Sequence, residues 1–346
     1  MKKSVILLSL MTIAVAFLLI FTGCFSAVTS ENAGESVQAS AESGNAGNDN
    51  RINIGALRGP SSIGMVGLIE SNKDVKDSMF SYEIIASPDI MVTRILSGET
   101  DIAVLPTNVA AKLYNKGAEI RMAAIVGGGV LYLVSNKKLE INRSDWDALK
   151  GQKVYLIAKG STPDIAFRYL AESNGLNIAK DITADYSFDQ IELTQMMIAG
   201  NADLGILPEP FVTNSLKSNK DLEIIMDIQE EWGKVSKQHI LPQTCLVISK
   251  ELIDNDSSAI DEFISEYSKS IDWANNNPKD AGKLAEGFEI GIKEAIAEEV
   301  IPRCNLMFES GDNAKSITED YLEILNQFSP DDIGGKIPGE EFYYVK

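Results

Sequence analysis

Four short stretches carry the residue types that hold a small polar molecule: Arg58-Gly59-Pro60-Ser61-Ser62, Pro106-Thr107-Asn108, Lys159-Gly160-Ser161-Thr162-Pro163-Asp164 and Pro208-Glu209-Pro210. Each stands where an apolar, β-rich run gives way to a helical pattern. In open parallel sheets ligands bind there, because backbone N–H groups at helix starts point out beyond the carboxyl ends of the strands. Gly160 lets the backbone approach closely, Thr162 can cap, and Pro163 suits a first helical turn, where its missing N–H costs nothing. Arg58 and Lys159 lead two of the stretches. If both point inward they favour an anion; if both point to solvent they bear on nothing. Glu209 acts the other way, repelling an anion but accepting hydrogen bonds from an amine.

Other chemistries fit the chain poorly. Gly127-Gly128-Gly129 lacks the spacing and the following helix of a dinucleotide fingerprint. It reads as a bend into a hinge or a close approach of backbone to ligand, so Gly128 and Gly129 join the candidates. His239 is the only histidine and no G-x-S-x-G elbow is present, so Ser/His/Asp catalysis has no frame. His239 then reads as a hinge, cleft-wall or structural residue. Cys245 and Cys304 lack zinc-site spacing and leave either one disulfide or two buried thiols. Trp146, Trp232 and Tyr155 can stack on a ring or fill the core. No catalytic residue, metal or cofactor is expected.

The elements that must position these stretches alternate from Arg51 onward. Strand candidates are Ile52–Leu57, Tyr82–Ala86 and Ile102–Leu105, with helical spacing between them, and Arg121–Val126 and Val130–Val134 extended around the glycines. The order recurs with strands at Lys153–Ala158, Thr183–Phe188, Leu204–Leu207 and Leu222–Asp227. This is the pattern of βαβ units and a mainly parallel sheet. The recurrence is legible residue by residue: LSGETDIAVLPTNV (Leu96–Val109) lies over IAGNADLGILPEPF (Ile198–Phe211), and Arg58–Ser61 lies over Lys159–Thr162 at nearly the same separation. The reading is two α/β lobes of similar topology, lobe 1 from 51–134 plus 245–346 and lobe 2 from 135–244. Thr244–Ser249 returns to the first lobe, followed by helices whose apolar stripe includes Ile260, Phe263, Tyr267 and Ile271. The chain crosses between lobes twice, near Val134–Lys138 and His239–Thr244, which allows a hinge and a closing cleft.

The first residues set the compartment. Lys2 and Lys3 precede an apolar run from Val5 to Phe21 that ends in Thr22-Gly23-Cys24, the layout of a secretory signal over 1–23. The segment resembles a bacterial lipobox, with Phe21 where Leu is usual, and makes Cys24 the expected lipidation site. Residues 24–50 are small and polar and cannot bury enough surface to offset ordering, so they read as a flexible tether. About 26 residues of such coil give a stand-off of roughly 25–30 Å from a membrane. The expected location is the extracellular face of the cell membrane. The formal charge of −19 argues against nucleic acid as a partner.

Four segments, INIGALRGPSSIGMVGLIE, SGETDIAVLPTNVA, LKGQKVYLIAKGSTPD and IGGKIPGEEFYYVK, carry a resemblance to the nitrate/sulfonate/taurine-type substrate-binding proteins of ABC importers, which include binders of thiamine-precursor pyrimidines. The resemblance covers nearly all of Arg51–Lys346. It implies a type II periplasmic-binding-protein fold with a two-stranded hinge, capture of a small-molecule ligand by a monomer, and partners in a membrane permease and its ATPase. The residues themselves set the expected solute: Arg58 and Lys159 with Glu209 against them suit an anionic or zwitterionic compound, with a neutral pyrimidine as the alternative. Some relatives on this fold are enzymes, among them yeast-type pyrimidine synthases built around a Cys-rich motif that this chain lacks; a sensor without transport is the other alternative on the same fold.

Overall fold

The computed structural model describes residues 51–345. The signal segment, Cys24 and the tether lie outside the described residues. Four strands, β1 (Ile52–Leu57), β2 (Phe80–Ile85), β3 (Ile102–Pro106) and β4 (Ile120–Gly127), begin the first sheet. The second sheet is built from β5 (Leu131–Asn136), β6 (Lys153–Tyr155), β7 (Thr183–Asp185), β8 (Leu204–Pro208) and β9 (Leu222–Asp227). The chain then returns with β10 (Thr244–Ser249) and β11 (Leu306–Ser310) to complete the first. The spatial orders are β2-β1-β3-β10-β4-β11 and β7-β6-β8-β5-β9. Over five strands the two match position for position, and β11 has no counterpart in the second. Each has three parallel strands followed by an antiparallel strand supplied by a crossing, β10 in one and β5 in the other. Each crossing strand is hydrogen-bonded on both sides, to β3 and β4 or to β8 and β9. The repeat read from the sequence is thus a repeat of topology, and two α/β lobes are present.

One boundary moves. Leu131–Asn136 pairs with β8 and β9, so the first crossing falls at Gly128–Val130 and not at Val134–Lys138. The apolar run Val130–Val134 suits either sheet, and only pairing decides between them. Glycine suits this crossing because side chains crowd against it. A Cβ on Gly128 would stand 2.9 Å from Met307 and 3.0 Å from the Gln229 side-chain oxygen, and one on Gly129 would stand 3.0 Å from Leu241. Gln229 Oε1 accepts from the N–H groups of Gly129 (2.9 Å) and Leu241 (3.1 Å), and Gln243 Oε1 accepts from Val130 N–H at 3.1 Å. Two side-chain amides therefore fasten the crossings to each other.

The strands are buried because their faces are covered by helices. In the helix Ser257–Asn276 the stripe Ile260, Phe263, Tyr267 and Ile271 is wholly buried under the first sheet. Each such side chain contributes about 1.5–3 kcal/mol by leaving water. The helix Gly311–Phe328 packs Ile317, Tyr321 and Leu325 into a cluster that also takes Trp232 and Phe167 from lobe 2, so the core is continuous past the hinge. Trp146 and Trp232 belong to this core: Trp146 Nε1 donates to the Glu231 carboxylate at 2.9 Å, and Trp232 packs on Tyr169 with ring centroids 5.1 Å apart. Tyr155 lies against Phe188.

Candidate functional site

The carboxyl ends of the two sheets face a cleft of about 640 Å³. Lobe 1 contributes the loop after β1. Gly59 has φ 114°, a backbone that a side chain would strain, and its equivalent Gly160 in lobe 2 has φ 82°. Both glycines turn their loops the same way, so Arg58, Gly59, Pro60 and Ser61 line the cleft from one side and Ser161 and Thr162 from the other. Ser62 is buried beneath the lining, where its hydroxyl, like that of Ser61 (3.0 Å), donates to the Leu57 carbonyl. The Ser161 hydroxyl donates to Ala158 O at 2.6 Å, the equivalent contact in lobe 2. All three hydroxyls donate inward rather than into the cleft.

The helix Thr107–Asn115 follows β3 directly. Thr107 is buried below the lining, with its N–H on Gln243 O at 3.2 Å. Asn108 lines the cleft, and its side-chain amide makes no hydrogen bond among the described residues. Gly128 lines the floor, whereas Gly129 is turned to Gln229. Gly160 spends its N–H on Asp164 Oδ2 at 2.9 Å and does not line the cleft. Lys159 is outside it as well: its ammonium lies 5.2 Å from the centre of the Tyr186 ring. An exposed lysine gains more from that ring than from an apolar wall. Of the two cations whose orientation the sequence leaves open, only Arg58 lines the cleft.

Glu209 and Pro210 line the cleft between β8 and the helix Phe211–Ser218, joined by a cis peptide bond. The Glu209 carboxylate is buried and already engaged. It accepts from Thr213 N–H at 3.2 Å and Thr213 Oγ1 at 2.9 Å, and Arg303 Nη1 stands 3.4 Å away. Burial pushes its carboxyl above the ordinary range, against the opposing pull of Thr213 and Arg303. Arg303 belongs to the turn Ile301–Cys304 of lobe 1, so this contact spans the cleft, and Arg303 also donates to Thr213 Oγ1 at 2.9 Å. The Tyr132 hydroxyl donates to Arg303 O at 2.9 Å, Thr162 Oγ1 meets the Tyr321 hydroxyl at 2.9 Å, and Lys217 pairs with Glu299 at 2.7 Å. All five contacts join lobe 1 to lobe 2.

Sequence reasoning missed Arg303, Gln243 and Cys304. Arg303 meets its partner across 94 residues, and no local pattern encodes such a pairing. Gln243 borders the return crossing and offers its amide N–H₂ to the cleft, since only its oxygen is used. Cys304 and Cys245 are both buried free thiols, which settles the disulfide question. Burial pushes the Cys245 thiol up to about 12 and raises Cys304 well above the usual thiol range. His239 is exposed in the second crossing, with φ 60°, and lies outside the cleft. Among the described residues no group of His, Cys, Asp or Glu is placed to hold a metal ion.

The family described as NMT1/THI5 like matches residues 82–281, which take in both crossings and three of the four loops. The chain belongs to that family. It is 24% identical over 193 residues to the Bacillus subtilis protein YtlA, a match that spans about half (55%) of that relative's length. Among solved structures it is similar to an ABC transporter protein from Parabacteroides distasonis, 28% identical with a TM-score of 0.74, covering 86% of this chain and 99% of that one. It is also similar in fold to the aliphatic sulphonate binding protein SsuA of Escherichia coli, with 15% identity, a TM-score of 0.65, and 86% and 94% of the two chains covered. The nitrate-binding protein NrtA of Synechocystis PCC 6803 shares the fold at 12% identity and a TM-score of 0.53, over 82% and 81% of the chains. The fold is the two-lobed binding-protein fold of these neighbours.

Proposed function

We propose that the chain is the solute-binding component of an ABC importer. It takes a small organic solute between its lobes, closes on the hinge, and presents the solute to the permease and ATPase. It works as a monomer, held to the extracellular face of the membrane by a lipid on Cys24. The solute is anionic or zwitterionic, of the sulfonate, taurine or nitrate class. What supports this most is the pair of equivalent loops, led by Gly59 and Gly160, that approach one cleft from opposite lobes joined by two crossings. Such a site binds and orients by closure; nothing in this reading requires bond making. Likeness to sulfonate- and nitrate-binding proteins supports the solute class.

One observation favours a neutral pyrimidine instead: the cleft walls are largely apolar, with Pro88, Val109, Phe211 and Leu306 among them. Against it, Glu209 is the acceptor that an aminopyrimidine needs, and its carboxylate is wholly buried and turned to Thr213 and Arg303. A thermal-shift screen over sulfonates, taurine, nitrate and aminopyrimidines tests the proposal. A true ligand at 100 times its Kd stabilises by about 2.7 kcal/mol. Stabilisation by none of them, or by pyrimidines alone, overturns the solute class.

A further inference from the structure

We infer that the cleft reads its solute with a fixed polarity: the negative group faces lobe 1, at Arg58 and Asn108, and lobe 2 receives only the neutral or donor-bearing body. The inference rests on the proposed solute-binding function and goes further by assigning each lobe its own task.

The two lobes repeat one topology, so a loop and a helix start follow equivalent strands in each, Pro60–Ile63 and Thr107–Asn115 in lobe 1 and Thr162–Ser173 and Phe211–Ser218 in lobe 2. In lobe 2 both starts carry anions of their own. Asp164 is wholly buried and accepts from Gly160 N–H at 2.9 Å and from the Tyr186 hydroxyl at 2.6 Å. Glu209 holds Thr213 in the same manner, and the guanidinium near it is spent on that pair. Lys159, the counterpart of Arg58, lies over Tyr186. An anion on this wall would meet two carboxylates whose donors are already used. In lobe 1 the positions equivalent to Asp164 and Glu209 are Ile63 and Thr107, neither of them charged. Arg58 is the only Lys or Arg among the residues that line the cleft and forms no ion pair among the described residues, and Asn108, which lines the same cleft, has a side-chain amide with no hydrogen bond among them.

The test compares ethanesulfonate, butanesulfonate and taurine with ethanesulfonamide and butanesulfonamide as uncharged partners, by calorimetric titration of wild type, Arg58→Gln and Lys159→Gln. Both substitutions remove one positive charge, so the general field changes alike and only position differs. Arg58→Gln should weaken sulfonate binding tenfold or more and leave the sulfonamides within twofold. Lys159→Gln should leave all probes within twofold. The inference is overturned if Lys159→Gln carries the tenfold loss, if Arg58→Gln leaves sulfonate binding within twofold, or if wild type binds sulfonates and sulfonamides alike. If wild type binds none of the five, the solute class itself fails, and the polarity falls with it.

Discussion

Replacing Arg303 by alanine removes the one cation that reaches across the cleft to Glu209. The structure sets the size of the effect. Arg303 Nη1 donates to Thr213 Oγ1 at 2.9 Å and stands 3.4 Å from Glu209 Oε1, with a third of the Arg303 side chain exposed. A hydrogen bond to a charged group is worth about 1.5–3 kcal/mol, and partial exposure with a long contact puts this one near 1–2 kcal/mol. Because the contact joins two lobes, that energy belongs to closure more than to folding. The ratio of closed to open molecules should fall about 5- to 30-fold, and the apparent Kd for a solute that needs both lobes should rise by up to that factor. Glu209, already raised by burial, is left with Thr213 alone. The closed form of the variant then binds a proton more readily than the open form, so its closure should recover as pH falls from 8 toward 5. The double variant Arg303→Ala with Glu209→Gln should lose less than the sum of the singles, since no unpaired charge is buried. Solution scattering follows closure and calorimetry gives Kd. Strictly additive effects, or an Arg303→Ala protein that closes and binds like wild type, would refute the latch.

Three further outcomes follow from local packing and charge. Gly282→Ala would put a Cβ 2.0 Å from that of Ala297 between the helices Pro278–Gly287 and Glu294–Val300. It should cost about 1–3 kcal/mol despite the better helix propensity of alanine, and Ala297→Gly should restore the lost Tm. Lys153 holds the Asp185 carboxyl down to about 2, so the stability owed to that pair is complete above the ordinary carboxylate range and fades as pH falls toward 2. Asp185→Asn should flatten that limb of an acid-unfolding curve by no more than about 1 kcal/mol, the worth of an exposed pair. Cys245 and Cys304, buried and with raised thiols, should resist iodoacetamide at pH 8 in the native protein and both react after unfolding without reductant.

Much of this molecule is legible in its residues. The alternation of apolar runs and turns, the doubled loop motif, the return strand Thr244–Ser249 and the helix stripe from Ile260 to Ile271 all sit where the pattern places them, because each is set by local chemistry and period. The parts that were not legible depend on pairing or orientation. The run from Val130 joins lobe 2 because β8 and β9 flank it, which composition does not record. Lys159 has the same sequence setting as Arg58 and a different neighbour, Tyr186. The serine hydroxyls of the two loops donate to strand-end carbonyls rather than into the cleft, an orientation that residue type does not record. Arg303 was invisible because its meaning lies in Glu209, supplied by the other lobe.

Calorimetric titration with ethanesulfonate, taurine, nitrate and an aminopyrimidine tests the central claim most directly, run on wild type beside Val109→Trp. Val109 lines the cleft at the start of the helix Thr107–Asn115 and is half-buried, so the larger ring fills the site without removing a hydrogen bond. The account predicts that at least one anionic or zwitterionic compound binds wild type and that Val109→Trp, still folded by its melting curve, loses that binding at least tenfold. Binding that survives the filled cleft, or wild type that takes up only the pyrimidine, would contradict it.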